Sequence, residues 1–211
     1  MKAVVVSNGD IKDINLAKYI LRDSSIIIAA DGGARHILNS GFMPDALIGD
    51  LDSVDKETLD KIKASSCTIV KYPREKDYTD TQIAIDYAIE KKADEITFLG
   101  CIGDRIDHSL ANIFLLVKLI KQGIKACIVN EKNTIYITCD FIKLDGKIGD
   151  LLSLIPVGGD VTGICTKGLK YGLEGKTIKM GEPLGISNVF IDNTIEVKIE
   201  SGYLLVILSR D

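Results

Sequence analysis

Ile26-Ile27-Ile28-Ala29-Ala30-Asp31-Gly32-Gly33 and, shortly after it, Ala46-Leu47-Ile48-Gly49-Asp50-Leu51-Asp52-Ser53 decide the fold class. Each is a brief apolar run that stops at acidic and turn-forming residues. Such runs, without polar alternation, read as strands buried on both faces in a parallel sheet. Acids just past the carboxyl ends of these strands stand where open α/β sheets receive their ligands. Gathering Asp31, Asp50 and Asp52 there is costly, since two carboxylates about 4 Å apart repel by roughly 4 kcal/mol at an effective dielectric near 20. A cation would relieve that repulsion. Hard oxygen donors favour Mg²⁺, which is commonly shared with substrate phosphates, so the stretch predicts a magnesium–phosphate site.

Upstream, Ala3 to Val6 reads as a first strand ending at Ser7-Asn8-Gly9-Asp10, followed by a helical pattern from about Ile11 to Leu21. Gly32-Gly33 opens a helix to about Ser40, with Gly41 as its stop. Downstream, Asp55 to Ala64 predicts a helix with Ser53 as its N-cap. A fourth strand follows over Cys67 to Lys71, then a loop over 72–76 and an amphipathic helix over Thr79 to Lys91. Glu95 to Leu99 is a fifth strand, Ile106 or Asp107 to Lys121 a helix, and Ile124 to Val129 a sixth strand. This alternation implies βα units.

Near Asn133 the texture changes. Ile135–Ile137, Leu151–Ile155, Val161–Cys165, Ile195–Ile199 and Tyr203–Leu208 are short β-rich runs separated by Gly-rich turns. The prediction is an α/β parallel-sheet nucleotide-binding domain over 1–139, followed by an all-β sandwich domain over 140–211. A β domain of about 70 residues is small for an independent core, and oligomerisation is one common support.

A composition of 46% hydrophobic and 27% charged residues describes a globular chain, not a disordered one. The net charge of -4, without clustered Lys and Arg, argues against nucleic acid as the main partner. Five cysteines are scattered singly with no C-x-x-C, which predicts reduced, buried, structural thiols. Neither His36 nor His108 has Cys neighbours at zinc-ligand spacing. The first residues enter a strand without a leader pattern, and no apolar run reaches the length of a membrane span. These features predict a cytoplasmic protein without a membrane partner.

Two further stretches carry chemistry. In Asp77-Tyr78-Thr79-Asp80 the acids would either meet a helix dipole or project toward the ligand edge. Their place after the fourth strand favours the second. In Gly100-Cys101-Ile102-Gly103-Asp104-Arg105-Ile106-Asp107-His108, the glycines would let backbone N–H groups approach phosphate. Arg105 would clamp phosphate oxygens through two donors. The plainer alternative has Asp107 capping the helix, Asp104 and Arg105 forming a surface pair, and His108 serving a structural purpose. Lys167-Gly168-Leu169-Lys170-Tyr171 and Gly185-Ile186-Ser187-Asn188 read, by composition, as turns.

Taken in order, Asp31-Gly32-Gly33, Gly49-Asp50-Leu51-Asp52-Ser53, Asp77-Tyr78-Thr79-Asp80, Arg105-Ile106-Asp107-His108, Gly168-Leu169-Lys170-Tyr171 and Ser187-Asn188 resemble the thiamine pyrophosphokinase family. Each block is short, but the order is specific and spans nearly the whole chain. The resemblance implies transfer of pyrophosphate from ATP to the hydroxyl of thiamine, with Mg²⁺, giving thiamine diphosphate and AMP. It implies a homodimer with thiamine bound between subunits. It also implies Asp50, Asp52 and Asp80 as metal ligands, with Asp31 and Asp77 near them and Arg105 on the ATP phosphates. Asp80 would accept the hydroxyl proton. Ser187 and Asn188 would help seat the aminopyrimidine, with Asp107 near it, and Tyr171 would cover thiamine where some relatives carry Trp.

Three rivals stand beside this reading. Asp50-Leu51-Asp52 imitates the D-x-D of aspartyl-phosphate phosphatases, although those enzymes place it on their first strand. A nucleotide-binding sensor would bind ATP without turnover. A pyrophosphokinase for another hydroxymethyl heterocycle stays open, because only the β half selects the acceptor.

Overall fold

The apolar runs of the first half become parallel strands: β1 (Lys2–Val6), β2 (Ile26–Ala30), β3 (Ala46–Gly49), β4 (Thr68–Lys71), β5 (Glu95–Leu99) and β6 (Lys125–Val129). They lie side by side in the order β6-β5-β1-β2-β3-β4, with every pairing parallel. This computed structural model describes residues 1–73, 75 and 77–210. The chain divides into two units, Met1–Glu131 and Lys132–Asp211. The loop predicted over 72–76 includes positions 74 and 76, which lie outside the described residues.

Five helices cross between the strands of the first unit: α1 (Ile14–Asp23), α2 (Gly33–Asn39), α3 (Lys56–Lys63), α4 (Asp80–Glu90) and α5 (Ile106–Lys121). Alternate strand residues serve opposite faces of a sheet. Val4, Val6, Ala29 and Leu47 accordingly share one core with Ala17 and Leu21 of α1, Ala34 and Ile37 of α2, and Ile62 of α3. Helix α4 covers β1, β2 and β3 and meets α5, burying Ala84, Ile85 and Ala88. A fully buried valine, leucine or isoleucine of this core contributes about 1.5–3 kcal/mol, and an alanine less.

Caps moved two predicted helix starts. Helix α1 begins later than Ile11 because the Asp13 carboxylate accepts from the backbone N–H groups of Asn15 and Leu16. Helix α3 is capped by Asp55, whose side chain accepts from Thr58 N–H at 2.9 Å. Ser53, the expected cap, instead hydrogen-bonds to Asp31. Gly41 follows α2 with φ +82°, a conformation that costs glycine least.

The second unit is all β: β7 (Asn133–Thr138), β8 (Phe141–Asp145), β9 (Leu151–Pro156), β10 (Val161–Lys167), β11 (Lys176–Ile178), β12 (Asn188–Val189), β13 (Thr194–Lys198) and β14 (Leu204–Ser209). Antiparallel pairings arrange them as β12-β9-β14-β7 and β11-β10-β13-β8. Leu152, Leu154, Leu204 and Val206 from one set meet Leu144, Ile164, Ile178, Ile195 and Val197 from the other in a single core around Phe190. That is a sandwich.

The boundary predicted at 139/140 is displaced toward the N-terminus. Strand β7 belongs with the second unit because it pairs antiparallel with β14 along its length, from Ser209↔Asn133 to Leu204↔Thr138. The cysteines also depart from expectation. All are free, and Cys101 is buried, but Cys139 and Cys165 are exposed. Cys165 occupies an outward position on β10, next to buried Ile164. Among the described residues no helix is long and apolar enough to cross a membrane.

Candidate active site

The strand order of the first unit changes direction beside β1. Strands β2, β3 and β4 extend to one side of it, and the chain then returns to place β5 on the other. Beyond the carboxyl ends of strands at such a switch point an open sheet has a crevice. Here the crevice is a cleft of about 530 Å³ between the segment after β1, Asp31 after β2, the loop 100–105 after β5 and the first turn of α4.

The β1 and β5 ends are zipped together. Ser7 N–H donates to Leu99 C=O and Gly9 N–H to Gly100 C=O, both at 2.8 Å. Gly100 has φ +62°, and a Cβ there would stand 2.5 Å from the Ser7 carbonyl oxygen, so only glycine fits. The rest of the loop is held by its own helix. Asn112 Nδ2 donates to Cys101 C=O at 2.7 Å, and Ser109 Oγ bonds both Gly103 N–H and Gly103 C=O at 3.1 Å. The Gly103 N–H is therefore engaged internally in this conformation.

Asp31 sits in the left-handed region with φ +50°, its N–H donating to Ile48 C=O at 2.8 Å. Such backbone in a non-glycine residue is strained and persists only where the surroundings impose it. Its side chain is buried, and Oδ1 has no hydrogen-bond partner among the described residues. Burial pushes its carboxyl above the ordinary range. Hydrogen bonds from Ser53 pull it back down, and the charges of Asp80 and Asp50 push it up again. Asp80 is the near neighbour: a Cβ on Gly49 would lie 3.0 Å from Asp80 Oδ1 and 3.1 Å from Asp31 Cβ. The absent side chain at Gly49 thus lets these two carboxylates share a wall.

The Asp50 carboxylate accepts from Asp52 N–H at 3.0 Å, closing a turn around Leu51, whose φ is +70°. Asp52 is exposed. Among the described residues no group of three or more His, Cys, Asp or Glu stands as a preformed metal cluster. The donor set nonetheless fits a hard cation. It offers carboxylate oxygens, one of them buried and unpartnered, and Mg²⁺ is usually held by one or two carboxylates together with substrate phosphates.

On the other side of the cleft Arg105 lines the wall but is turned to Asp107, with Nη2–Oδ2 at 2.7 Å and Nε–Oδ1 at 3.3 Å. The expected Asp104–Arg105 pair is thus an Arg105–Asp107 pair, and the Arg105 hydrogen bond holds the Asp107 carboxyl below its usual range. Asp107 lies in the first turn of α5 without capping it. His108 lines the cleft and is exposed. Asp77 is exposed in the segment before Thr79, the residue whose side chain caps α4 by accepting from Gln82 N–H at 3.2 Å.

Asp31, Asp80 and Arg105 are therefore brought to one cleft, with Asp50 acting on Asp31 through its charge. Asp50, Asp52, Asp77 and Asp107 lie outside its described lining. The sequence reading missed Ser7, Asn8 and Thr81, which do line it. Their one available signal was position, since Ser7-Asn8 ends the first strand just as Asp31 ends the second.

In the second unit, Asn188 is buried, and its side chain bonds the backbone of Tyr171. The Tyr171 ring is 61% exposed, with Lys170 Nζ 5.5 Å from its centroid. Ser187, at φ +55°, donates its N–H to Ser153 Oγ at 3.1 Å.

Comparison with known proteins gives a consistent result for both units. Residues 17–128 match the thiamin pyrophosphokinase catalytic domain, and residues 132–204 match the thiamin pyrophosphokinase vitamin B1 binding domain. The thiamine pyrophosphokinase of Bacillus subtilis (strain 168) is 32% identical over 217 residues, covering 100% of both chains. The crystal structure of thiamine pyrophosphokinase from Bacillus subtilis superposes with a TM-score of 0.89 at 28% identity, covering 100% of each chain. That of thiamin pyrophosphokinase from Geobacillus thermodenitrificans gives 0.85 at 29% identity, covering 100% of this chain and 98% of the other.

Proposed function

The chain belongs to the thiamin pyrophosphokinase family, and from that premise we propose how its residues divide the work of transferring diphosphate to thiamine. The donor is ATP. The hydroxyl oxygen of thiamine attacks the β-phosphorus, the bond from that phosphorus to the α-phosphate bridging oxygen breaks, and AMP leaves. A carboxylate takes the hydroxyl proton, and Asp80 is assigned that role. The observation that carries the reading is the cleft at the switch point, with Asp31 and Asp80 on one wall and Arg105 on another.

Phosphoryl transfer asks a protein for positioning and charge neutralisation more than for covalent help. Arg105 serves the phosphates through its planar fork of donors once it exchanges Asp107 for them. Asp50, Asp52 and Asp80 are the residues assigned to Mg²⁺, with Asp31 and Asp77 supporting. When bound, Mg²⁺ neutralises charge on the polyphosphate and orients it. A permanently cationic thiazolium also suits an acidic cleft.

Acceptor binding is assigned to Tyr171 and Ser187, with Asp107 near the aminopyrimidine, and Asn188, buried and bonded to the Tyr171 backbone, contributes to that site through Tyr171. The exposed ring of Tyr171 supports this, since an aromatic face attracts a cation. The enzyme is proposed to act in the cytoplasm as a homodimer with thiamine between subunits. An apolar stripe on α5 supports self-association: Ile106, Leu110 and Phe114, spaced along one helix face, are 66%, 46% and 52% exposed.

The test is direct. Purified protein supplied with Mg-ATP and thiamine should release AMP and thiamine diphosphate in equal amounts. Release of ADP with thiamine monophosphate, or turnover only with a different heterocyclic alcohol, would overturn the reading.

A further inference from the structure

We propose that Asn188 is a positioning residue that sets the Tyr171 ring by clamping its backbone; the inference rests on the assignment of Tyr171 to the acceptor site. Asn188 is 2% exposed. Its Oδ1 accepts from Tyr171 N–H at 3.0 Å and from Val189 N–H at 2.9 Å, and its Nδ2 donates to Tyr171 C=O at 2.8 Å. A carboxamide oxygen has two lone pairs and the nitrogen two hydrogens. Both acceptor sites and one donor are therefore consumed within the protein. The orientation of the amide is dictated by its partners, because the oxygen must face two N–H groups and the nitrogen a carbonyl.

The side chain thus does what a neighbouring strand would do. Segment 168–171 is laid along 188–191 by Lys170 N–H to Val189 C=O at 2.8 Å, Ile191 N–H to Gly168 C=O at 2.9 Å, and the antiparallel bridge between Leu169 and Phe190. That ladder would stop at Lys170. The Asn188 carboxamide extends it by one residue, and the residue it adds is Tyr171. Leu169 anchors the segment in the core at 4% exposure, while the Tyr171 ring stands in solvent. A fixed main chain under an exposed ring is what a stacking platform requires, because little ordering remains to be done when the ligand arrives. Aspartate could keep both acceptor bonds but would turn a lone pair toward Tyr171 C=O.

The chain contains no Trp, so Tyr171→Trp makes position 171 the sole tryptophan of the full-length protein. Fluorescence anisotropy of that variant, with and without Asn188→Ala or Asn188→Asp, reads the mobility of the ring without substrate. Both second substitutions should loosen it, Ala more than Asp; an unchanged anisotropy would overturn the positioning role. In the Tyr171 background, Asn188→Ala should raise the thiamine KM by about five- to tenfold, the equivalent of one lost buried hydrogen-bonding partner, with the ATP KM little changed. Introduced into Tyr171→Ala, the same substitution should add almost nothing. Independent, multiplying effects would mean that Asn188 serves the acceptor by itself, which also overturns the proposal. Should Asn188→Ala fail to fold, Asn188→Asp carries both measurements. If Tyr171→Ala leaves the thiamine KM unchanged while Asn188→Ala still loosens the reporter, the acceptor assignment of Tyr171 fails and the backbone clamp stands.

Discussion

Ser7 Oγ and Thr81 Oγ1 lie 2.8 Å apart, both residues buried, joining the end of β1 to the first turn of α4 directly after Asp80. Cys101 Sγ donates to Ser7 Oγ at 3.2 Å, and burial pushes its thiol up to about 12, so it acts as a neutral neighbour and not as a nucleophile. Thr81→Val keeps the shape but leaves the buried Ser7 hydroxyl with the weak Cys101 thiol as its remaining side-chain partner, and should cost about 0.5–1.5 kcal/mol of stability. Because Asp80 rides on the same turn, the KM for Mg-ATP should rise. Thr81→Ser should restore both in denaturant melts and initial-rate assays.

Asp50→Asn removes a negative charge that presses on Asp31. Turnover with Mg-ATP should fall by about 100-fold or more, the scale of losing one preorganised charge in an active site. Folding should be unchanged or slightly strengthened, because a repulsion is relieved. Activity retained at the wild-type level would sink the metal assignment.

Arg105→Lys should lower kcat/KM for ATP by at least about tenfold, since an ammonium cannot reproduce the two-pronged guanidinium contact. Thermal stability should not move. The Arg105–Asp107 pair is 71% and 66% exposed, which leaves solvent to screen it. A large fall in melting temperature would show that the pair is structural.

His36 predicts an acid sensitivity of folding. One ring nitrogen bonds the Gly9 backbone, and Nε2 is buried without a partner among the described residues. Burial, then the charge of Arg35, lowers its pKa from the ordinary 6.5. A folded pKa below the unfolded one means that stability is present above 6.5 and is lost as pH falls through the folded value. Wild type should therefore lose stability between neutral and mildly acidic pH faster than His36→Gln in paired urea titrations. Parallel curves would exclude His36.

Much of the first unit was legible because its signals are local. Ile26–Ala30 and Glu95–Leu99 form strands with the predicted bounds, the first because it is an uninterrupted apolar run, the second because its apolar residues lie between helices in the strand-helix alternation. The β half was less legible. Strand β12 has two residues and β11 three, too short for any alternation to register. The 139/140 boundary moved because the pairing of β7 with the distant β14, which no local pattern signals, assigns it to the second unit. Asp55 displaced Ser53 as a cap because several residues in one turn can cap, and backbone geometry chooses among them.

The same division holds for the site. Asp31, Asp80 and Arg105 could be read from sequence, because a charge beside a strand end or a helix start is a local pattern whose place in an α/β sheet follows from topology. Ser7, and the hold of Asn188 on the Tyr171 backbone, could not. Serine and asparagine occur in any turn, and what makes these two matter are partners 74 residues away in one case and 17 in the other. The sequence by itself determined the strand-helix alternation, the sandwich composition of the second half and the acidic edge, since hydrophobic period and turn chemistry act over a few residues. Only the tertiary structure decided that Asp31 is buried with an oxygen unpartnered among the described residues, that Arg105 is turned to Asp107 and that Asn188 holds Tyr171 by its backbone. Burial and hydrogen bonding depend on which distant atoms the fold brings within about 3 Å, and no local pattern carries that distance.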